Sequence, residues 1–350
     1  MRTRFQPDSQ PPARGRMRSP VPVAQRGAAL LMAMVIVTLV ATMSASMVWQ
    51  QWRAVQVESA ERVRAQAQWV LVGALDWARL ILKEDVRNGG ADHLGEAWAT
   101  PLAEARLSTF LSADASNTDD APEAFLSGKV DDATSRYNLR NLIDGNGEVD
   151  TKELALLRRL CEFASLSPSL ADGLAQAYRK AFLAQLSSDS TVLAKLGGES
   201  GLALAPLMPQ TVDQFVWLGL DAVTVERLRP YVTLLPDASG INVNTAPKEV
   251  IAAAVDRMDL GTAERIVQVR QRTPFKDASE ITKVLGSTTL DLSRLRVTSD
   301  FFEVRGRLRL EDNIIEQHHL VQRVGTDVLV RYQTRFSGMD QGVGAQGMPP

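Results

Sequence analysis

The spacing of apolar residues along this chain changes from one region to the next, and each change marks an element. From Ala28 to Val48 no residue is charged. A helix of that run is ~31 Å long at about 1.5 Å per residue, which matches the hydrocarbon thickness of a bilayer. Beyond it, Val63, Ala67, Val70, Ala74, Trp77 and Ile81 recur at alternating spacings of four and three. Glu61, Arg62, Arg64, Gln66 and Gln68 fall between them, so the helix continues with one apolar stripe, the expected face for a partner helix. No proline or glycine interrupts Ala28 to Trp69, and Gly73 is the only weak point before Asn88-Gly89-Gly90 ends the pattern. The expectation is one helix of about sixty residues, or an anchor and a second amphipathic helix separated by a kink near Gly73 or at the membrane surface.

Residues 88–125 are polar and read as loops around a short helix from Leu102 to Phe110. A strand is expected over Ala124–Asn138. Near the other end Phe302, Val304, Leu308 and Leu310 alternate with Glu303, Arg305, Arg307 and Arg309, which is strand periodicity. Turns at Glu311-Asp312-Asn313 and Gly325-Thr326-Asp327 then make a three-stranded antiparallel meander. Between these strand regions the pattern is helical throughout, including ELALLRRLCEFASL, LADGLAQAYRKAFLAQL, VDQFVWLGL, TVERLRPYVTLL and GTAERIVQVRQR. The fold class expected is therefore α+β: a long N-terminal helix packed on an antiparallel sheet, with a large all-α domain inserted between strands. The segments are a leader at 1–27, a membrane-spanning part at 28–48, a first core part at 49–141, the insertion at 142–290, closing strands at 291–336 and a disordered glycine- and proline-rich tail at 337–350.

Charge adds direction. The leader holds six arginines against Asp8, a net +5, so the positive-inside bias keeps it cytoplasmic and exports the rest of the chain. The whole chain carries −2, which leaves about −7 after the leader and argues against phosphate-backbone binding as the main task. A cleaved secretory signal would have its small residues behind the apolar run, whereas here Gly27 precedes it. Membrane physics alone leaves an uncleaved signal anchor equally open. The single cysteine, Cys161, has no partner for an internal disulfide and reads as a buried small apolar residue. Enzyme motifs are missing: there is no nucleophile elbow, zincin helix, P-loop or cysteine-pair metal site, and His318 and His319 are adjacent on a strand and face opposite ways. Trp49 and Trp52 fit a membrane-interface belt, and Trp69 and Trp77 fit the long helix.

Three stretches carry a family resemblance: QRGAALLMAMVIVTLVATM behind the leader, SRYNLRNLI at 135–143 and YVTLLPDASGINVNTAPKEVIAAA at 231–254. With VTSDFFEVRGRLRL and HLVQRV near the end, the chain resembles type IV pilin-like proteins, and within them the minor pseudopilin K family of type II secretion. The resemblance runs from Gln25 to about Phe336. It implies that a prepilin peptidase cuts between Gly27 and Ala28 and that Ala28 becomes the N-methylated terminus. It also implies a place at the tip of a periplasmic pseudopilus, aiding export of folded proteins, with the I- and J-type minor pseudopilins as partners in the inner membrane. Most pilins carry glutamate at the fifth mature position, which here is Met32; its absence is itself a mark of the K subunit. A carboxylate in lipid is costly unless paired, so losing it removes one packing relation, as suits a subunit with nothing above it. No cofactor is required, no nucleic acid is expected, and calcium is the one candidate ion.

The calcium candidate lies in Asp144–Glu153. Asp144, Asn146 and Asp150 fall at the third, fifth and ninth positions of an EF-hand loop, Glu148 offers a carbonyl, Glu153 falls at the twelfth, and Gly147 sits at the sharp turn. The first position is Leu142, so one carboxylate is missing. The alternative is a helix-start turn in which Asp150 caps the next helix. The acids at 131–132 and 119–120 are further candidates. The run from Ile241 to Phe275 also resembles a helix-hairpin-helix unit turning near Gly261, with Arg265, Arg270, Arg272 and Lys276 as its charges. That resemblance sets up the second reading, a membrane-anchored DNA-binding protein of a competence system. Asn242 and Asn244 read as turn and capping residues.

Overall fold

The computed structural model describes residues 26–107, 124–286, 290–310 and 313–339, so the leader up to Gln25, the acids 119–120 and the tail beyond Met339 lie outside the described residues. One helix, α1, runs over Arg26–Asn88, 63 residues. It meets the expectation of a single long element. The chain divides into a first unit, 1–64, and a second, 65–350, each described by itself.

In the second unit five strands form one antiparallel sheet: β1 (Leu102–Arg106), β2 (Ala124–Asp132), β3 (Phe301–Leu310), β4 (Asn313–Val324) and β5 (Asp327–Met339), in that spatial order. The closing meander is as expected, except that β5 continues through residues 337–339 of the supposed tail. Leu102–Arg106 is a strand and not a helix: Ala105 and Arg106 pair with Leu126 and Phe125, so edge pairing overrides the local propensity. The expected strand at 124–138 ends at Asp132, where the chain turns into a short 3-10 segment, Ala133–Ser135.

The part of α1 from Ala67 onward lies on this sheet. Ala67, Leu71, Leu75, Ala78 and Leu82 are buried against Leu126, Phe302, Val304, Leu308, Ile315, Val321 and Val328. Trp98 closes one end, edge-on to Phe302 at 5.1 Å. Gly306 sets the closeness of the approach, because a Cβ there would stand 3.2 Å from the Leu71 side chain. Its register partner on β2 is also glycine, Gly128.

Between β2 and β3 hangs the insertion. Helices α2 (Thr151–Phe163), α3 (Ser169–Gln185), α4 (Ser190–Leu196), α5 (Gly198–Ala203), α6 (Ala222–Leu228), α7 (Lys248–Ala254), α8 (Leu260–Arg272) and α9 (Glu280–Leu285) build it. Asp150, Asp189, Asp221 and Asp259 start four of them by accepting first-turn N–H groups. VDQFVWL is a 3-10 helix, and Pro230 ends the helical run before YVTLL, of which Val232–Thr233 is a strand. The insertion is not helical alone. Tyr137–Asn138 pairs with Val232–Thr233, and Ile241–Asn242 with Leu295–Arg296, both parallel. Its root is therefore wider than 142–290: the chain leaves the sheet at Asp132 and returns at Phe301. A separate core of Tyr137, Leu157, Leu160, Tyr178, Phe215, Ile251 and Ile266 fills the domain.

Candidate functional site

The apolar half of α1 is exposed from Ala28 to Val48, and among the described residues it is the one helix long and apolar enough to cross a membrane. Three of its four hydroxyl side chains bond back to the helix: Thr38 donates to the carbonyls of Met34 and Val35, Thr42 to Leu39 and Ser46 to Met43, which lowers the cost of carrying them in hydrocarbon. Met32 lies on this surface without a charged neighbour in sequence. Trp49 and Trp52 follow at once, their rings 5.4 Å apart and exposed. The junction Gly27-Ala28 falls in the helical backbone near its start.

The expected partner stripe needs correction. Of Val63, Ala67, Val70, Ala74, Trp77 and Ile81, Ala67 is buried on the protein's own sheet, and Val70, Ala74 and Ile81 pack beside it. That phase of the helix is internal except at Trp77, which stays on the surface. The open face is rotated from it: Trp69 is 76% exposed, Trp77 56% and Leu80 58%. Gly73 lies between the two tryptophans, and a Cβ there would touch nothing within 4 Å. Positions 69, 73, 77 and 80 share one side at helical spacing, which makes a notch flanked by two large aromatic groups. Exposed tryptophans on a rigid element are the residue type that anchors protein interfaces.

The candidate calcium loop folds as the helix-start turn. Asp144 accepts the N–H groups of Asn146 and Glu148 at 2.9 and 2.8 Å, which holds its carboxyl below the usual carboxylate range. Asp150 caps α2 through Lys152 and Glu153 N–H. The two remaining acids face cations. Glu148 pairs with Arg179 at 2.7 Å, with Lys195 at 3.7 Å, while Glu153 pairs with Arg294 at 2.6 Å. The carboxylates of Asp144, Glu148, Asp150 and Glu153 do not converge, the Glu148 carbonyl that would face the ion instead accepts Asp144 N–H at 2.9 Å, and the Glu153 carboxylate is taken by Arg294. The residues present do not fit the ion. Asp131 meets Lys129, and Asp132 is filled by hydrogen-bond donors.

The hairpin before α8 offers little to a phosphate. Asp259 accepts Thr262 N–H at 2.7 Å, placing a carboxylate where a phosphate would sit, and Gly261 belongs to the helix. Arg270 is buried and donates to the Val243 carbonyl, and burial lowers its pKa to about 10. It is a packing residue. His318 and His319 do face opposite ways: His318 lies against Glu316 and Phe336, and His319 is buried.

A buried polar network went unread in the sequence. Asp132 accepts from Thr134 N–H and Oγ1 at 2.7 Å each, Thr245 Oγ1 at 2.6 Å, Ser299 Oγ at 2.5 Å and Asn242 Nδ2 at 2.9 Å. Asn242 also donates to the Asp92 carbonyl, and Asn244 exchanges two hydrogen bonds with the Phe275 backbone. These groups bolt the root of the insertion to the sheet and to the loop after α1. The motif INVNTAP was the available signal, since two asparagines two apart in an otherwise apolar run cannot be buried unpaired.

Two sequence profiles, both described as type II secretion system (T2SS), protein K, match residues 135–237 and 241–301. Together they trace the insertion from its root to its return. A type II secretion system protein K of Pseudomonas aeruginosa is 29% identical over 332 residues, covering 90% of this chain and 93% of that protein. One from Pectobacterium carotovorum subsp. carotovorum is 25% identical over 338 residues, covering 90% and 97%. Among solved structures, a chain of the GspK-GspI-GspJ complex from the enterotoxigenic Escherichia coli type 2 secretion system has the same fold. Its TM-score is 0.58 at 18% identity, covering 79% of this chain and 98% of that one.

Proposed function

The chain belongs to the type II secretion system protein K family, and from that premise we propose that it is a minor pseudopilin capping the tip of a periplasmic pseudopilus. The observation that carries this reading is the combination of a 63-residue helix, bare and apolar in its first part and packed on a sheet in its last, with a bulky domain hung on that sheet. A subunit with these elements anchors in the inner membrane, leader in the cytoplasm and sheet in the periplasm, as the arginine-rich leader supports. The prepilin peptidase then cuts between Gly27 and Ala28. At Met32 there is no carboxylate to pair with a neighbour's terminal amine, which suits a subunit with nothing above it. The work is assembly and involves no bond-making by this chain.

Its partners are other minor pseudopilins of the I and J type, a choice supported by the complex in which the structural neighbour was solved. The surface offered to them is the open face of α1 at Trp69, Gly73, Trp77 and Leu80. Amino-terminal sequencing tests the processing: mature protein beginning with N-methylated Ala28 is expected, and Gly27→Leu should remain uncleaved. Normal processing of that variant would remove the pilin reading. Co-purification tests the assembly, with two small pilin-like partners expected and their loss expected in Trp69→Ala/Trp77→Ala. Salt-sensitive DNA retention without those partners would favour the DNA-binding alternative.

A further inference from the structure

Three carboxylates and one guanidinium meet below the end of α1. Asp85 comes from the helix, Asp92 and Glu96 from the loop after it, and one oxygen of each acid lies within 4.8 Å of the other two. Arg323, at the end of β4, pairs with Asp85 at 3.1 Å and with Asp92, and its side chain is 8% exposed. Asp92 accepts Ser299 N–H at 2.6 Å, and Glu96 accepts Trp98 Nε1 at 2.7 Å and His93 N–H at 2.9 Å. The other titratable neighbours look elsewhere. The His93 ring accepts Gly95 N–H, Lys83 pairs with Asp327, Asp300 is exposed and gives Arg323 only its carbonyl, and Asp132 lies beyond Ser299 with its own donors.

Three negative charges against one positive charge do not balance, and like charges this close in a poorly hydrated site cannot all ionise together. We propose that the Asp85–Asp92–Glu96 cluster holds one proton, centred on Asp85 and Asp92, and acts as a pH-sensitive latch between the end of α1, the sheet and the root of the insertion. Burial is the largest cause pushing Asp92 up, to about 6, against the opposing pull of Arg323; burial and then Glu96 push Asp85 up as well. The folded values stand above the unfolded ones. Protonation therefore adds stability that is fully present below the unfolded value and is lost as pH rises through about 6. The mechanical link runs through the loop backbone: Asp92 N–H donates to the Val297 carbonyl at 2.8 Å, and its own carbonyl accepts Asn242 Nδ2 at 3.0 Å. Both strands of the insertion's root are thus held by the residue that carries the proton.

Thermal melting of the full chain in detergent tests the latch. Between about pH 7.5 and about pH 5.5 the wild-type midpoint should rise by ~2–3 °C more than that of Glu96→Gln, which removes the unbalanced charge while leaving both Arg323 pairs. Asp85→Asn should flatten the profile in the same way and stands in if Glu96→Gln fails to fold. Equal pH slopes in wild type and both variants would overturn the proposal. So would a rise in the wild-type midpoint on adding excess calcium at about pH 7.5 that Glu96→Gln abolishes, since a metal ion rather than a proton would then balance the cluster.

Discussion

Replacing Asp132 should do more damage than its single side chain suggests. Its carboxylate is 3% exposed overall and receives five donors, three of which, from Asn242, Thr245 and Ser299, belong to the insertion and its return. In Asp132→Ala those donors are left in a site that water does not readily reach. Hydrogen bonds to a charged acceptor contribute ~1.5–3 kcal/mol each but do not add, and removing the centre of a buried network typically costs about 3–5 kcal/mol. For a domain of this size each kcal/mol corresponds to ~2–4 °C, so the melting midpoint should fall by on the order of 10 °C. The control is one residue away. Asp131 is paired with Lys129 at 3.0 Å and its side chain is 38% exposed, so Asp131→Ala should stay within about 1 kcal/mol of wild type. Circular dichroism melts of the two variants in detergent make the comparison. If Asp132→Ala melts with Asp131→Ala, the network does not hold the insertion to the sheet.

Glu303 gives an acid-side prediction. Burial acts to raise its carboxyl, but Arg136 at 2.6 Å and Arg305 at 3.2 Å outweigh that and hold it at about 2. Its folded value is depressed, so its stabilisation is present above ~4.5 and lost as pH falls toward about 2; urea midpoints of wild type and Glu303→Gln should differ near neutrality and converge through that window. The Cys161 thiol is pushed up to about 11, first by burial, so a thiol-labelling reagent at about pH 8 should react with the unfolded chain and spare the folded one. Leu82 is fully buried between α1 and the sheet, and Leu82→Ala should cost ~2–5 kcal/mol in a denaturant titration, while Leu80→Ala on the open face should cost little.

Periodicity was a good guide wherever one face of an element is buried. The long helix, the meander and the helical insertion each repeat a pattern for many residues. It was a poor guide to phase on α1, because Ala67–Leu82 is apolar on most sides and several stripes satisfy the spacing equally. The sheet selects the phase of Leu71, Leu75 and Leu82, since branched side chains fill the space around Gly306, and turns Trp69 and Trp77 outward. The short strand at Leu102–Arg106 was hidden for a related reason: an edge strand owes its form to its neighbour, and β2 begins at Ala124, far along the chain. The acidic loop misled because its chemistry is decided by Arg179, Lys195 and Arg294, which the fold brings in from other segments. Charge in sequence shows what could bind a cation. It does not show that the protein has already supplied one.

The strands β2 and β3 are antiparallel neighbours, with Asp132 opposite Phe302, so the chain leaves the sheet and returns to it at adjacent positions. Geometrically that is the site of an ordinary hairpin loop. A hairpin fixes the register of its strands whatever fills it, and the entropy of closing it grows only with the logarithm of its length. Residues 133–300 can therefore be exchanged or enlarged with little effect on the five-strand order, provided Asn242, Thr245 and Ser299 keep donating to Asp132. The second unit is in this sense a small helix-and-sheet chassis with a socket, and a lineage could change what the socket holds without redesigning the chassis.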